Sequence, residues 1–371
     1  MKLDIAELIE ASRRYGTDAR FVLLGGGNTS LKDAEVMYVK ASGYALGTID
    51  EEGFVAMDIA RLNKIWEREY PSDPEKREEE VLADMMAARC EGEKGRPSVE
   101  ALLHSIIPFK YVFHMHPAIV NGLTCGQSGE VASKKLFEDS IWIPLVNPGY
   151  ILAKTVREAQ ELYNANHDEK VALIFLQNHG VFVGGETIEE IDAIYDHIME
   201  VLEKYVIRKP KFTSMKVNEG RVKIVQEALK RYFKSEEELP YVFNRELANR
   251  LTDTEAFFSI SSSYTPDHIV YSGFAPLWIE EEVFTADDPQ SAIIERLEEY
   301  QRINIVAPKI VVVQNNGAFA VSEVAMLLFL DTIKVATFVE SFGGPRFMDD
   351  DQIDFIRNWE VESYRASLLA K

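Results

Sequence analysis

Tyr-Val-Phe-His-Met-His-Pro, residues 111–117, is the stretch from which the rest of the chain can be read. Aromatic and β-branched residues run up to a proline, which predicts a strand over Tyr111–His116 that stops at Pro117. On a strand, residues i and i+2 share a face, so His114 and His116 stand side by side. Each imidazole brings two ring nitrogens that need partners. The pair therefore reads either as two satisfied core histidines or as half of a site for one small cation.

Upstream, Ser98–Ile107 reads as a helix capped by Ser98 and ended by Pro108. Glu100 lies in its first turn and His104 one turn on. The helix dipole is a sufficient reason for an acidic residue there; beside a metal, the same carboxylate would serve as a ligand or proton shuttle. Downstream, Val171–Leu176 reads as a buried strand, Gln177-Asn178-His179-Gly180 as a tight turn, Val181–Val183 as a further strand and Thr187–Tyr205 as an amphipathic helix. His179 is the third histidine of interest. Three neutral histidines around Zn²⁺ leave a position open for water or substrate. His167 and His197 read as solvated, and His268 as a strand residue without a visible partner.

Toward the N-terminus, Leu3–Tyr15 has helical spacing and Phe21–Leu24 reads as a short strand. Gly25-Gly26-Gly27-Asn28-Thr29-Ser30 follows. It is not a dinucleotide fingerprint, because Ser30 stands where the third glycine belongs, and it lacks the lysine of a P-loop. It remains rich in backbone N–H groups, with Asn28 and Ser30 as side-chain donors, and reads as a phosphate or sugar cradle or as a plain glycine turn. Val36–Ala41 reads as a strand closed by Ser42-Gly43, which with Ser98 offers similar donors. Pro71–Glu80 reads as an exposed connector and Glu79–Arg89 as a helix.

The whole chain has 371 residues, 46% hydrophobic and 27% charged, an ordinary globular mixture. Its net charge of −21 argues against nucleic acid and anionic membranes as partners. No run approaches the ~18 apolar residues of a membrane helix. The N-terminus reads as an amphipathic helix rather than a signal peptide, and two cysteines make a reducing cytoplasm the expected compartment.

Near Arg208 the texture turns polar, which places a boundary between residues 1–208 and 209–371. The second part echoes the first. VALIFLQNHGVFV (171–183) is matched by KIVVVQNNGAFA (309–320), setting Asn316 opposite His179, and EVMYVKASGY (35–44) by PDHIVYSGF (266–274). Their shared order suggests a degenerate second copy; chance likeness between strand-turn-strand units is the alternative. No histidine follows His268, so the second part cannot rebuild a three-histidine site.

GGGNTS, KASG, PSVE, HMHP and NHG occur in an order that resembles the class II aldolase/adducin family, over roughly residues 1–206, and within it rhamnulose-1-phosphate aldolase-like members, including the aldolase part of bifunctional aldolase–dehydrogenases. The resemblance implies an α/β fold: an α/β/α sandwich on a mostly antiparallel sheet. It implies zinc, or another divalent metal, on His114, His116 and His179, and Glu100 as catalytic acid/base. It places Gly27, Asn28, Ser30, Ser42, Gly43 and Ser98 where the family grips a substrate phosphate. It implies a homo-oligomer with a small phosphorylated sugar as partner, and cleavage of a phosphorylated ketose to dihydroxyacetone phosphate and an aldehyde through an enediolate. A 4-epimerase or dehydratase on the same site, or a non-catalytic adducin-like binding protein, are the alternatives. Val99 stands where some relatives carry a second serine. Tyr150 is a candidate for the acid that several relatives supply as tyrosine.

Overall fold

The structure, a computed structural model, describes residues 3–359. The chain divides into two compact units. The first comprises residues 3–124 and Ser128–Tyr205 and takes in Asn358 and Trp359; the second comprises Val206–Arg357 with Cys125–Gln127.

The first unit is built on seven strands: β1 (Asn28–Lys32), β2 (Val36–Lys40), β3 (Phe54–Asp58), β4 (Tyr111–Met115), β5 (Ser140–Ile143), β6 (Leu173–Leu176) and β7 (Gly180–Gly185). Their order is β3-β2-β1-β4-β7-β6-β5. Every neighbouring pair is antiparallel except β5–β6. Both faces are covered, so the strands are buried on both sides. On one face Met37, Val39, Val55, Met57, Val112, Ile174 and Phe182 pack against Leu62, Val81, Leu102 and Val156 from four helices. On the other, Ser12 bonds Thr29 of β1 (2.7 Å) and Tyr195 donates to the Phe113 carbonyl (3.2 Å). This is the expected α/β/α sandwich on a mostly antiparallel sheet.

Several local expectations need correction. Phe21–Leu24 is not a strand: Phe21 N–H closes a turn on Asp18 O and Gly26 N–H another on Leu23 O, with Leu24 left-handed at φ 53°. The helix expected at Ser98 is Ala101–Ile106, with Glu100 at its N-cap position; the Ser98 hydroxyl instead accepts from Glu100 N–H in the turn before it (3.2 Å). The supposed connector at Pro71–Glu80 already contains the start of the helix Pro74–Ala87, capped by Asp73 accepting from Lys76 N–H. Pro266–Ser272 is a helix capped by Thr265, not a strand, so its likeness to β2 is not structural, and His268 has a partner in Asp331 (3.3 Å).

The other echo is structural. The second unit carries β8 (Tyr241–Val242), β9 (Leu277–Ile279), β10 (Ile310–Val313) and β11 (Gly317–Ala320) in the order β8-β11-β10-β9, with β9–β10 parallel and the other pairs antiparallel. This repeats β4-β7-β6-β5 strand for strand. The helix Tyr150–Asn164 joins β5 to β6, and Pro289–Asn304 lies between β9 and β10. Asn178 and Asn315 hold the two hairpin turns in the left-handed region, at φ 55° and 56°.

Candidate metal centre

Register brings the site together. Asn28 of β1 pairs with His114 of β4, and His114 pairs with Phe182 of β7. The β6–β7 turn then returns His179 to the end of β4. His116 lies just past that end, where its N–H donates to Phe21 O (3.0 Å), which gives the turns around Phe21 their role. Gly180 allows the approach: a Cβ there would lie 2.6 Å from Met115 O and 2.7 Å from His116 Cδ2.

The three imidazoles converge. His114 Nε2 lies 2.8 Å from His116 Nε2 and 3.4 Å from His179 Nε2, and one ring nitrogen of each falls within 4.8 Å of the others. His114 donates Nδ1–H to the Val181 carbonyl (3.0 Å), which leaves the Nε2 lone pair facing the cluster. Its ring stacks on Phe182 at 4.1 Å. Glu100 completes the group, with Oε1 3.5 Å from His114 Nε2 and 3.6 Å from His179 Nε2. Burial pushes the His114 pKa well below the ordinary histidine value, so the ring is neutral. Burial also acts against charge on Glu100, whose carboxyl is nonetheless held below the ordinary glutamate value; with His114 neutral, the Asn28 amide donating to Oε2 favours the carboxylate.

Three converging imidazoles with a carboxylate beside them suit a divalent cation. Glu100 Oε1 is buried without a hydrogen-bond partner, an expensive state in a native interior. A cation held by the three histidines removes that cost, so the residues present fit a metal.

The remaining expected residues surround this centre. Gly27 sits against β4 in the left-handed region (φ 65°), where a Cβ would lie 2.8 Å from His114 O. Asn28 donates to Glu100 Oε2 at 2.6 Å, with Ser98 Oγ 3.4 Å away. Ser42 donates to Pro97 O (3.1 Å), and Gly43 turns the chain at φ 93°. Ser30, expected among the phosphate-gripping residues, is instead fully buried with its hydroxyl bonded to His104 Nδ1 at 2.7 Å, which turns it away from a substrate. Tyr150 stacks on Trp66 and lines a separate cavity of about 570 Å³. Two residues to which the sequence pattern gives no role also belong to the site, His104 and Lys40. Lys40 is nearly buried and donates to Gly25 O (3.1 Å), placing positive charge beside the glycine loop. The signal for His104 was its spacing of one turn from Glu100.

Fold and site together define an α/β/α sandwich with a three-histidine, carboxylate-flanked centre able to hold a metal. Residues 6–206 match the family model of the class II aldolase and adducin N-terminal domain, and the chain belongs to that family. This membership supports an aldolase-like enzyme of the lyase type. The chain is also similar to the uncharacterized oxidoreductase YuxG of Bacillus subtilis, 24% identical over 416 residues, covering 98% of this chain and 58% of that one. The chain thus spans 58% of the length of this curated relative. Among solved structures, the N-terminal class II aldolase domain of a conserved protein from Thermoplasma acidophilum is 28% identical, covering 56% of this chain and 95% of that one with a TM-score of 0.47. L-fuculose-1-phosphate aldolase from Thermus thermophilus is 13% identical, covering 53% and 93% with a TM-score of 0.34. Among the described residues, no helix is long and apolar enough to cross a membrane.

Proposed function

We propose that the chain is a metal-dependent aldolase cleaving a phosphorylated ketose, rhamnulose 1-phosphate-like, to dihydroxyacetone phosphate and an aldehyde. Residues 1–208 carry the reaction, 209–371 form a repeat-like domain without the metal histidines, and the working protein is a cytoplasmic homo-oligomer. His114, His116 and His179 hold zinc or another divalent ion, which when bound supplies Lewis acidity next to the breaking bond.

Breaking C3–C4 passes its electron pair to an enediolate. Glu100 Oε1 takes the proton from the hydroxyl that becomes the aldehyde and returns it to C3. Gly27, Asn28, Ser42, Gly43 and Ser98 grip the phosphate and fix the reacting bond relative to Glu100, with Ser30 bracing the set from behind. The observation that carries this reading is the unpartnered Glu100 Oε1 within 3.6 Å of two of the three converging imidazoles.

The test is an assay of zinc-loaded protein with rhamnulose 1-phosphate and other ketose 1-phosphates, following dihydroxyacetone phosphate. Glu100→Gln is expected to keep its zinc and lose about 10²–10⁴-fold in turnover. Absence of cleavage, or an inverted or dehydrated sugar as the product, overturns the aldolase reading.

A further inference from the structure

Behind Glu100 lies a ladder of buried polar groups. Asn28, Ser30 and Lys32 occupy alternate positions of β1 and so share a face, while Glu100 and His104 are one turn apart on the segment opposite. All five are buried. Asn28 Nδ2 donates to Glu100 Oε2 at 2.6 Å, Asn28 Oδ1 meets His104 Nε2, and His104 Nδ1 meets Ser30 Oγ at 2.7 Å. Lys32 Nζ donates to the carbonyls of His104 and Ile107, the latter at 2.6 Å, and so anchors the end of the same helix.

The direction of every bond follows from the Asn28 amide, whose NH₂ faces Glu100 Oε2 and whose oxygen faces His104 Nε2. That oxygen only accepts, so His104 must carry its proton on Nε2. Burial pushes the His104 pKa down to about 3, so the ring is neutral and Nδ1 has no proton. Ser30 must then donate its hydroxyl to Nδ1. The chain Ser30 → His104 → Asn28 → Glu100 Oε2 has one consistent polarity. It engages Oε2 and leaves Oε1 facing His114 and His179.

We propose that His104 is a positioning residue: its Nε2–H locks the Asn28 amide so that Glu100 presents one defined oxygen, Oε1, to the reacting substrate. The claim rests on the reading of Glu100 as the acid/base. Its structural half is independent of any turnover.

Imidazole ¹⁵N spectra of the full chain test that half. The expected result is a neutral His104 with the proton on Nε2. In Glu100→Gln, whose amide can donate to Asn28 Oδ1, the Asn28 amide is free to flip and His104 is expected to gain Nδ1–H population. A helix-packing role for His104 predicts no such response. His104→Asn, which keeps a polar atom near Nδ1 but cannot reach Asn28, is expected to lower kcat at least about tenfold with zinc affinity within about threefold of the parent. His104→Gln, which can still donate to Asn28, is expected to recover most of that loss. Nδ1–H in the parent protein, an unchanged tautomer in Glu100→Gln, or parental kcat in His104→Asn overturns the proposal. If no ketose phosphate is cleaved, the aldolase reading fails and the two tautomer measurements still decide the ladder; they decide it also if His104→Asn does not fold.

Discussion

His104 and His114 are both fully buried, and burial pushes both below the ordinary histidine value, His104 to about 3. The sign of the linkage follows. Below about pH 6.5 the unfolded chain takes up a proton at each position and the folded chain does not. Their contribution to stability is therefore complete above pH 6.5 and falls as the solution is acidified, down to about pH 3 for His104. Each neutral histidine contributes a slope of roughly 1.4 kcal/mol per pH unit. Glu100, held near 2, adds a loss in the same direction only below the ordinary glutamate value. In metal-free protein, denaturant unfolding between pH 6.5 and 5 is expected to be about 1.4 kcal/mol per unit shallower in His104→Gln than in the parent. Equal slopes would mean that His104 titrates normally in the fold. At this scale the sequence was readable where a residue's chemistry is rare: the i, i+2 histidines, the histidine before a turn glycine, and an acid at a helix start. It placed His104 one turn from Glu100 but gave it no role, because one buried histidine on a helix looks the same whether it fills space or directs a hydrogen-bond chain.

Elements place these residues, and the hairpin between β6 and β7 does so with the least tolerance. A Cβ on Gly180 would sit 2.6 Å from Met115 O, 2.7 Å from His116 Cδ2 and 3.2 Å from His114 Cε1. The first neighbour is backbone inside a paired strand and cannot move aside cheaply. Gly180→Ala is therefore expected to push the hairpin tip, and His179 with it, off the end of β4. A zinc titration against a competing chelator is expected to read at least a tenfold loss of affinity, with stability lower by roughly 1–3 kcal/mol. Unchanged affinity would show that His179 is placed by something other than this contact. The strands of the site were legible because alternation and flanking proline mark them, as for β4. The elements misread were those in which short-range hydrogen bonds override apolar content. Phe21–Leu24 is apolar enough for a strand but is spent on successive turns. Pro266–Ser272 is buried on all sides, its Asp267, His268 and Ser272 included, and a Thr-Pro start makes it a helix.

The two units share more than strand order. Aligning Gly180 with Gly317 places Phe319 in the position of Phe182, and strand register then sets Tyr241 at the position of His114 and Phe243 at that of His116. Contacts that played no part in the alignment agree. A Cβ on Gly317 would meet Val242 O at 2.6 Å, Tyr241 Cε2 at 2.9 Å and Phe243 Cβ at 3.0 Å, the counterparts of Met115, His114 and His116. Tyr241 lies 4.6 Å from Phe319, as His114 lies over Phe182. Where the first unit brings three imidazoles together, the second has a tyrosine, a phenylalanine and Asn316, and the Tyr241 hydroxyl donates to the Asn316 carbonyl at 2.6 Å. The QNHG and QNNG turns were visible in sequence; Tyr241 and Phe243 were not, because β8 has two residues and no pattern. A backbone that reproduces the ligand positions should bind metal once the ligands return. Tyr241→His, Phe243→His and Asn316→His, combined in a chain whose own centre is disabled by His114→Ala and His179→Ala, are expected to confer one equivalent of Co²⁺ binding with the intense visible bands of tetrahedral coordination. A folded protein carrying all three substitutions and binding no cobalt would limit the repeat to strand order and exclude the geometry of a metal site.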